Sequence, residues 1–401
     1  MDNRERRTTD TGSPPPDARR TGGDGRGASR AHERVPAPPR DRPALRVIGD
    51  DGRPDTERDP QLTDDEAVTI YRAMVRSRRV DARLLKLQRQ GRVGFHVGHL
   101  GEEAAIIGAA AALEPRDWIV PCYREAGAAL YRGFPLQDYV DHMFGNAGDF
   151  AHGRQMPDHF VSEPLHILSV SAPIGTQIPH AVGLAMAMKR AGRDEVAAVY
   201  FGDGATSSDG FHSAMNFAGV FKAPVVFLCR NNGYAISLPT ARQCAAEALA
   251  DKAVGYGMPA LCCDGNDALA VVATVREAAA HAREGRGPTF VELLTYRLGA
   301  HSTSDDPTRY RDEAEVERWR ARDPVVRMRA YLIERGAWTE RDEASLVEAV
   351  DAEVREAVVA AEAKPKPALH EMFREVYEAQ PWHLRDQERE CLSVARTKEP
   401  A

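Results

Sequence analysis

The sequence predicts an α/β fold: a three-layer domain on a parallel sheet, with a helical carboxyl-terminal part and a disordered amino-terminal arm. Three observations carry this. The runs Val196–Phe201 and Val225–Cys229 are short and uninterruptedly apolar, as strands covered on both faces are, and Thr289–Tyr296 reads as a further strand. Segments of helical length alternate with them, which favours parallel strands joined by crossovers. Residues 1–60 are rich in Arg, Asp, Pro and Gly and poor in aliphatics, so they bury too little surface to offset the entropy of ordering.

The folded domain is therefore placed at residues 61–401, with its helical extension from about Glu313. Thr63 with Glu66 three positions on makes a capping box, and the helix it opens runs through Ile70-Tyr71 and Leu84-Leu85 toward Gly91. Gly101–Leu113 is helical and dense in small residues, suited to close packing. Trp118-Ile119-Val120 leads to the loop Pro121–Glu125, and a helix follows from Pro135 to about Phe144. After the loop Gly153–Pro157, the helix Pro179–Arg190 precedes the strand ending at Gly202. Asp209–Phe221 is the next helix, and further ones span Ala245–Val254 and Asp267–Arg283. Glu313–Thr397 is mostly helical, interrupted at Lys364-Pro365-Lys366-Pro367. No internal repeat is present.

Composition narrows the function classes. Of 401 residues, 43% are hydrophobic and 28% charged, and the formal net charge is −7. That balance disfavours a nucleic-acid partner, whose phosphates need a basic face. No apolar run reaches the ~20 residues of a membrane helix, and the start lacks the apolar core of a secretory signal. Arg-rich transit peptides are poor in acids, whereas this amino terminus carries Asp2, Glu5, Asp10, Asp17 and Asp24, so a cytoplasmic location is expected. Cys122, Cys229, Cys244, Cys262, Cys263 and Cys391 show no C-x-x-C pairing and read as packing thiols.

The strongest chemical signal lies between Gly202 and Asn232. Gly202-Asp203-Gly204 follows one expected strand, and Asn231-Asn232 follows the next. Parallel neighbours joined by a crossover helix release their carboxyl-terminal loops side by side, where open α/β sheets bind ligands. Asp203 and Asn232 would then meet. Mg²⁺ takes oxygen ligands at about 2.1 Å and shares them with phosphates. Asp203 offers a carboxylate, Asn232 an amide oxygen and Tyr234 a backbone carbonyl. The amides of Gly204 and Ala205 can donate to phosphate oxygens, with a helix dipole expected there. A helix cap at Asp203 and a plain turn at Asn231-Asn232-Gly233 are the bland reading; both halves occurring together disfavours it.

These residues resemble a thiamine diphosphate motif. Arg230-Asn231-Asn232-Gly233-Tyr234-Ala235-Ile236-Ser237 resembles the alpha subunits of branched-chain 2-oxo acid dehydrogenases. Tyr123–Gly127, Gly153–Pro157, Thr176–Pro179 and His301–Asp306 match as well, and the likeness spans roughly Leu62 to Ser393. It implies that Asp203, Asn232 and the Tyr234 carbonyl hold Mg²⁺. It also places Tyr123, Arg124, Arg230 and His301 around the diphosphate and reacting centre, with His301 the catalytic candidate. Ser171, Ala172, Pro173 and Ile174 resemble the segment that touches the aminopyrimidine and, with Thr176 and Gln177, can surround K⁺. Two positions depart from the pattern: Ala172 replaces a frequent Ser, and Cys122 a frequent Gln, which removes one side-chain contact and puts a phosphate contact in doubt.

The resemblance further implies a beta subunit carrying the activating glutamate, an alpha-two beta-two heterotetramer, and acyl transfer to a lipoyl-bearing acyltransferase. Phe95 and Tyr123 are candidate pocket walls for a small 2-oxo acid. Ser302 is a candidate regulatory site, since phosphate there would repel a diphosphate. Three alternatives remain: the pyruvate-specific relative, a non-catalytic scaffold subunit, and a stand-alone thiamine enzyme, for which too little chain remains.

Overall fold

In the computed structural model, which describes residues 44–49, 52–55 and 57–398, five parallel strands form the central sheet. They are β1 (Trp118–Val120), β2 (Ala197–Gly202), β3 (Val225–Asn231), β6 (Ala260–Asp264) and β7 (Thr289–Leu294), in the order β1-β2-β3-β7-β6. A small antiparallel ribbon, β4 (Tyr234–Ala235) with β5 (Leu238–Pro239), lies between β3 and β6 in the chain.

Alternation along the strands sends side chains to two cores. Ala198, Tyr200, Val226, Leu228, Val291 and Leu293 face a layer that includes helices Asp64–Arg89, Ala268–Arg283 and Glu340–Ala363. Ala197, Val199, Phe201, Val225, Phe227 and Phe290 face helices Gln177–Arg190 and Asp209–Phe221. Helix, sheet and helix make the three layers expected. The capping box forms: Thr63 N donates to Glu66 Oε2 (2.8 Å), and Glu66 N to Thr63 Oγ1 (3.2 Å). Helix Asp209–Phe221 has the bounds read from sequence, with Ser208 capping Phe211 N.

Several readings change, the helix expected over Ala245–Val254 being a 3₁₀ turn over Leu249–Tyr256. Part of the stretch expected as a disordered arm packs into the domain: Leu45 pairs with Cys263, and Val47 and Ile48 are buried. Their amides donate to Asp267 Oδ2 at 2.7 and 2.6 Å. The apolar segment Ala44–Ile48 was too short to stand out within its Pro- and Arg-rich surroundings; residues 1–43 lie outside the described residues. Strand β6 was also missed, because Ala260–Asp264 is short and has no β-branched residue. The small-residue segment after Gly101 is a π-type turn, Ala104–Gly108, continued by Ala109–Ala111. Among the described residues no helix is long and apolar enough to cross a membrane.

Candidate active site

The parallel register places the ends of four strands together. Gly202 is paired with Arg230 and Asn231 with Leu294, so the turns after β2, β3 and β7 leave the same edge of the sheet, next to the turn after β1. These turns carry Asp203, Asn232, Tyr234, the Arg297–His301 segment, and Tyr123-Arg124. Asp203 and Asn232 are both buried. Asp203 Oδ2 accepts from the Thr240 hydroxyl (3.2 Å), and the same hydroxyl lies 3.3 Å from Asn231 Oδ1, joining the two turns. Asn232 Oδ1 accepts from Tyr234 N (3.2 Å).

Burial pushes the Asp203 carboxyl up to about 6 despite the Thr240 hydrogen bond, the signature of a buried carboxylate short of positive charge. A divalent cation would supply that charge. Among the described residues no three His, Cys, Asp or Glu side chains group as a metal centre, so a cation at Asp203 must also use amide and carbonyl oxygens. That donor set suits Mg²⁺ shared with phosphates. Gly204 leaves a close approach: a Cβ there would sit 2.9 Å from Ala235 Cβ. The residues present therefore fit a Mg²⁺-bound diphosphate. The helix dipole expected at Gly204 and Ala205 is absent, however. Asp203–Ser207 is a 3₁₀ turn, and extended Ser208 delays the helix to Asp209.

Both arginine forks are already engaged. Arg124 Nη1 donates to Gly98 O, and Nη2 donates to His301 O (2.7 Å) and faces His301 Nδ1 (2.9 Å). Arg230 pairs with Glu102 through Nη1 and with Glu125 through Nη2, which leaves its buried Nε without a partner. Since Arg124 is only a donor, His301 Nδ1 must accept, and its proton resides on Nε2. Burial, with Arg124 and Arg297 nearby, depresses the imidazole to about 3, so His301 is neutral. Tyr123 stands edge-on to the His301 ring at 6.1 Å.

The remaining residues singled out from sequence lie around this core. Ala172 and Ile174 are exposed, and Ser171 and Phe95 are half-buried. Thr176 Oγ1 donates to Pro173 O (2.9 Å), while Gln177 Nε2 donates to Tyr200 O (3.0 Å). Ser302 is half-buried, and its Oγ accepts from Ser304 N at 3.4 Å. Sequence reasoning missed Glu102, Glu125 and Arg297. Arg297 is fully buried and donates to Ile236 O (2.7 Å), and Ile236 holds a left-handed φ of 58° that a β-branched residue rarely adopts. The available signal was Glu102-Glu103 at the head of a run of small apolar residues: carboxylates so placed must be paired.

A family model described as "Dehydrogenase E1 component" matches residues 71–370. The chain belongs to that family. Among similar E1-family proteins is 2-oxoisovalerate dehydrogenase subunit alpha 2, mitochondrial, of Arabidopsis thaliana, 45% identical over 86% of this chain and 74% of that one. The 2-oxoisovalerate dehydrogenase subunit alpha, mitochondrial, of Caenorhabditis elegans is 42% identical over 86% of this chain and 80% of its own length. The Homo sapiens protein of the same name is 41% identical over 82% and 74%. All three are named as mitochondrial, which overturns the cytoplasmic location expected above. The acids of the arm are a compositional sign only, and such a sign gives way to relatives named by location.

Proposed function

We propose that this chain is the alpha subunit of the decarboxylating first component of a branched-chain 2-oxo acid dehydrogenase complex, an oxidoreductase. The observation that carries the reading is identity of 41–45% across more than four fifths of the chain to subunits of that name. The cofactor is thiamine diphosphate with Mg²⁺. Asp203, Asn232 Oδ1 and the Tyr234 carbonyl would hold the metal, with the Gly204 and Ala205 amides and Arg124 beside the diphosphate. When bound, the cofactor supplies the electron sink for loss of CO₂ from a 2-oxo acid. His301 presents a neutral Nε2–H able to donate to a substrate or product oxygen, held in that tautomer by Arg124. Phe95 and Tyr123 are the pocket walls on this chain.

The partners proposed are a beta subunit, completing an alpha-two beta-two heterotetramer, and a lipoyl-bearing acyltransferase that takes the acyl group. Ala172 and Ile174 would face the aminopyrimidine. Oxygens of Ser171, Pro173, Thr176 and Gln177 would hold K⁺. Ser302 is the proposed regulatory serine, and full activity in Ser302→Glu would remove it. The folded domain is placed at residues 57–398, with Leu45–Ile48 packed onto it.

The test is turnover of 3-methyl-2-oxobutanoate against pyruvate by the complex reconstituted with its beta subunit. Faster turnover of the branched substrate is expected, and a preference for pyruvate would replace the reading with the pyruvate-specific one. The chain alone should be inactive; robust turnover without a beta partner would overturn the shared site. No binding of thiamine diphosphate and Mg²⁺ by calorimetry would leave a scaffold subunit.

A further inference from the structure

We propose that Glu102 is a positioning residue that decides which end of the Asn232 amide faces the cation. It rests on the reading of Asp203, Asn232 and Tyr234 as magnesium ligands, and goes beyond it by naming what orients one of them. Glu102 is fully buried at the start of the small-residue segment, remote in sequence from both turns of the site. Its two oxygens do separate jobs. Oε1 accepts from Asn232 Nδ2 (3.2 Å), and Oε2 accepts from Arg230 Nη1.

The chemistry of that pairing is one-directional. An ionised carboxylate only accepts, so the Asn232 NH₂ must face Glu102 and the amide oxygen must lie on the other side. There it accepts from Tyr234 N (3.2 Å), within the turn whose carbonyl is the third proposed ligand. A flipped amide would set an NH₂ against a cation and an oxygen against a carboxylate, both repulsive. Arg230 Nη1 occupies the other carboxylate oxygen, so both oxygens of Glu102 already face donors. Arg230 is itself anchored on its far side by Glu125, which fixes the guanidinium that holds the Glu102 carboxylate.

A residue that merely balanced the Arg230 charge would have a different signature. Glu125 balances Arg230 as well, and its other oxygen accepts from Arg124 N (3.2 Å). Glu102→Gln keeps the shape but gains an NH₂ that tolerates either amide orientation. Glu102→Asp keeps the charge for Arg230 but shortens the reach to Asn232, and serves if the glutamine variant fails to assemble. Glu125→Gln is the comparison.

The experiment is Mn²⁺ affinity of the complex with its beta subunit and thiamine diphosphate, read from the free Mn²⁺ resonance, with melting temperature recorded alongside. Glu102→Gln and Glu102→Asp should each weaken Mn²⁺ binding by about ten-fold or more, while Glu125→Gln shifts it far less. Wild-type affinity in both Glu102 variants, or an equal loss in Glu125→Gln, would overturn the role of Glu102 and leave the ligand reading standing. A wild-type complex that binds no Mn²⁺ would overturn both.

Discussion

Asp203 lies 1% exposed beside a threonine hydroxyl. A buried carboxylate raised to about 6 costs the fold stability as the pH rises from its ordinary 3.8, and the cost is complete above about 6. Asp203→Asn should therefore weaken metal-dependent cofactor binding by about 100-fold or more, yet leave the melting temperature of the cofactor-free complex near pH 7.5 unchanged or raised. Calorimetry and thermal unfolding on one preparation check both. His301 has the opposite sign. Its folded value of about 3 lies below the ordinary 6.5, so its neutral form contributes stability fully present above pH 6.5 and lost as the pH falls toward 3. Replacing it by Gln should flatten the fall in melting temperature between about pH 7 and pH 4, and lower kcat by about 100-fold. Both residues were legible in the chain because their neighbours form motifs. The states of their protons were not, because desolvation and the nearness of Arg124 belong to the folded molecule.

Strands deliver the chemistry and turns hold it. The Gly202-Asp203-Gly204 turn and the β4–β5 ribbon touch at Gly204 and Ala235, where a Cβ on Gly204 would come within 2.9 Å of the Ala235 methyl. Gly204→Ala should push the ribbon away, move the Tyr234 carbonyl, and weaken cofactor binding by about ten-fold. Ala235→Gly in the same chain should restore it, which a titration of the double variant would show. The bounds of helix Asp209–Phe221 were readable because Ser208-Asp209 is a strong cap and the apolar period is clear. The 3₁₀ turn before it was not, because a Gly-Asp-Gly-Ala-Thr-Ser-Ser run suits several turn geometries. Strand β6 was lost for a related reason: Ala-Leu-Cys-Cys-Asp has no alternation, and its place is set by pairing with β7.

Across the molecule, the domain is closed by a segment read as unstructured. Leu45 N donates to Cys262 O, Asp264 N donates to Leu45 O, and Ile48 is fully buried beneath. Ile48→Ala should cost about 2–5 kcal/mol by leaving a cavity in the core, measurable as a lower urea midpoint with cofactor affinity little changed. The order of apolar runs, caps and acid- or amide-bearing turns was enough to establish the layered parallel fold and the family, and to name the residues proposed for the metal site, since each of these depends on residues close in sequence. The pairing of Glu102 with Asn232 across 130 positions, the double engagement of Arg230, and the neutral imidazole of His301 depend on which distant groups the packed sheet brings within hydrogen-bond reach. No local pattern encodes such distances. They follow from strand order and burial, and burial is what turns a carboxylate or an imidazole into a group with a definite charge and direction.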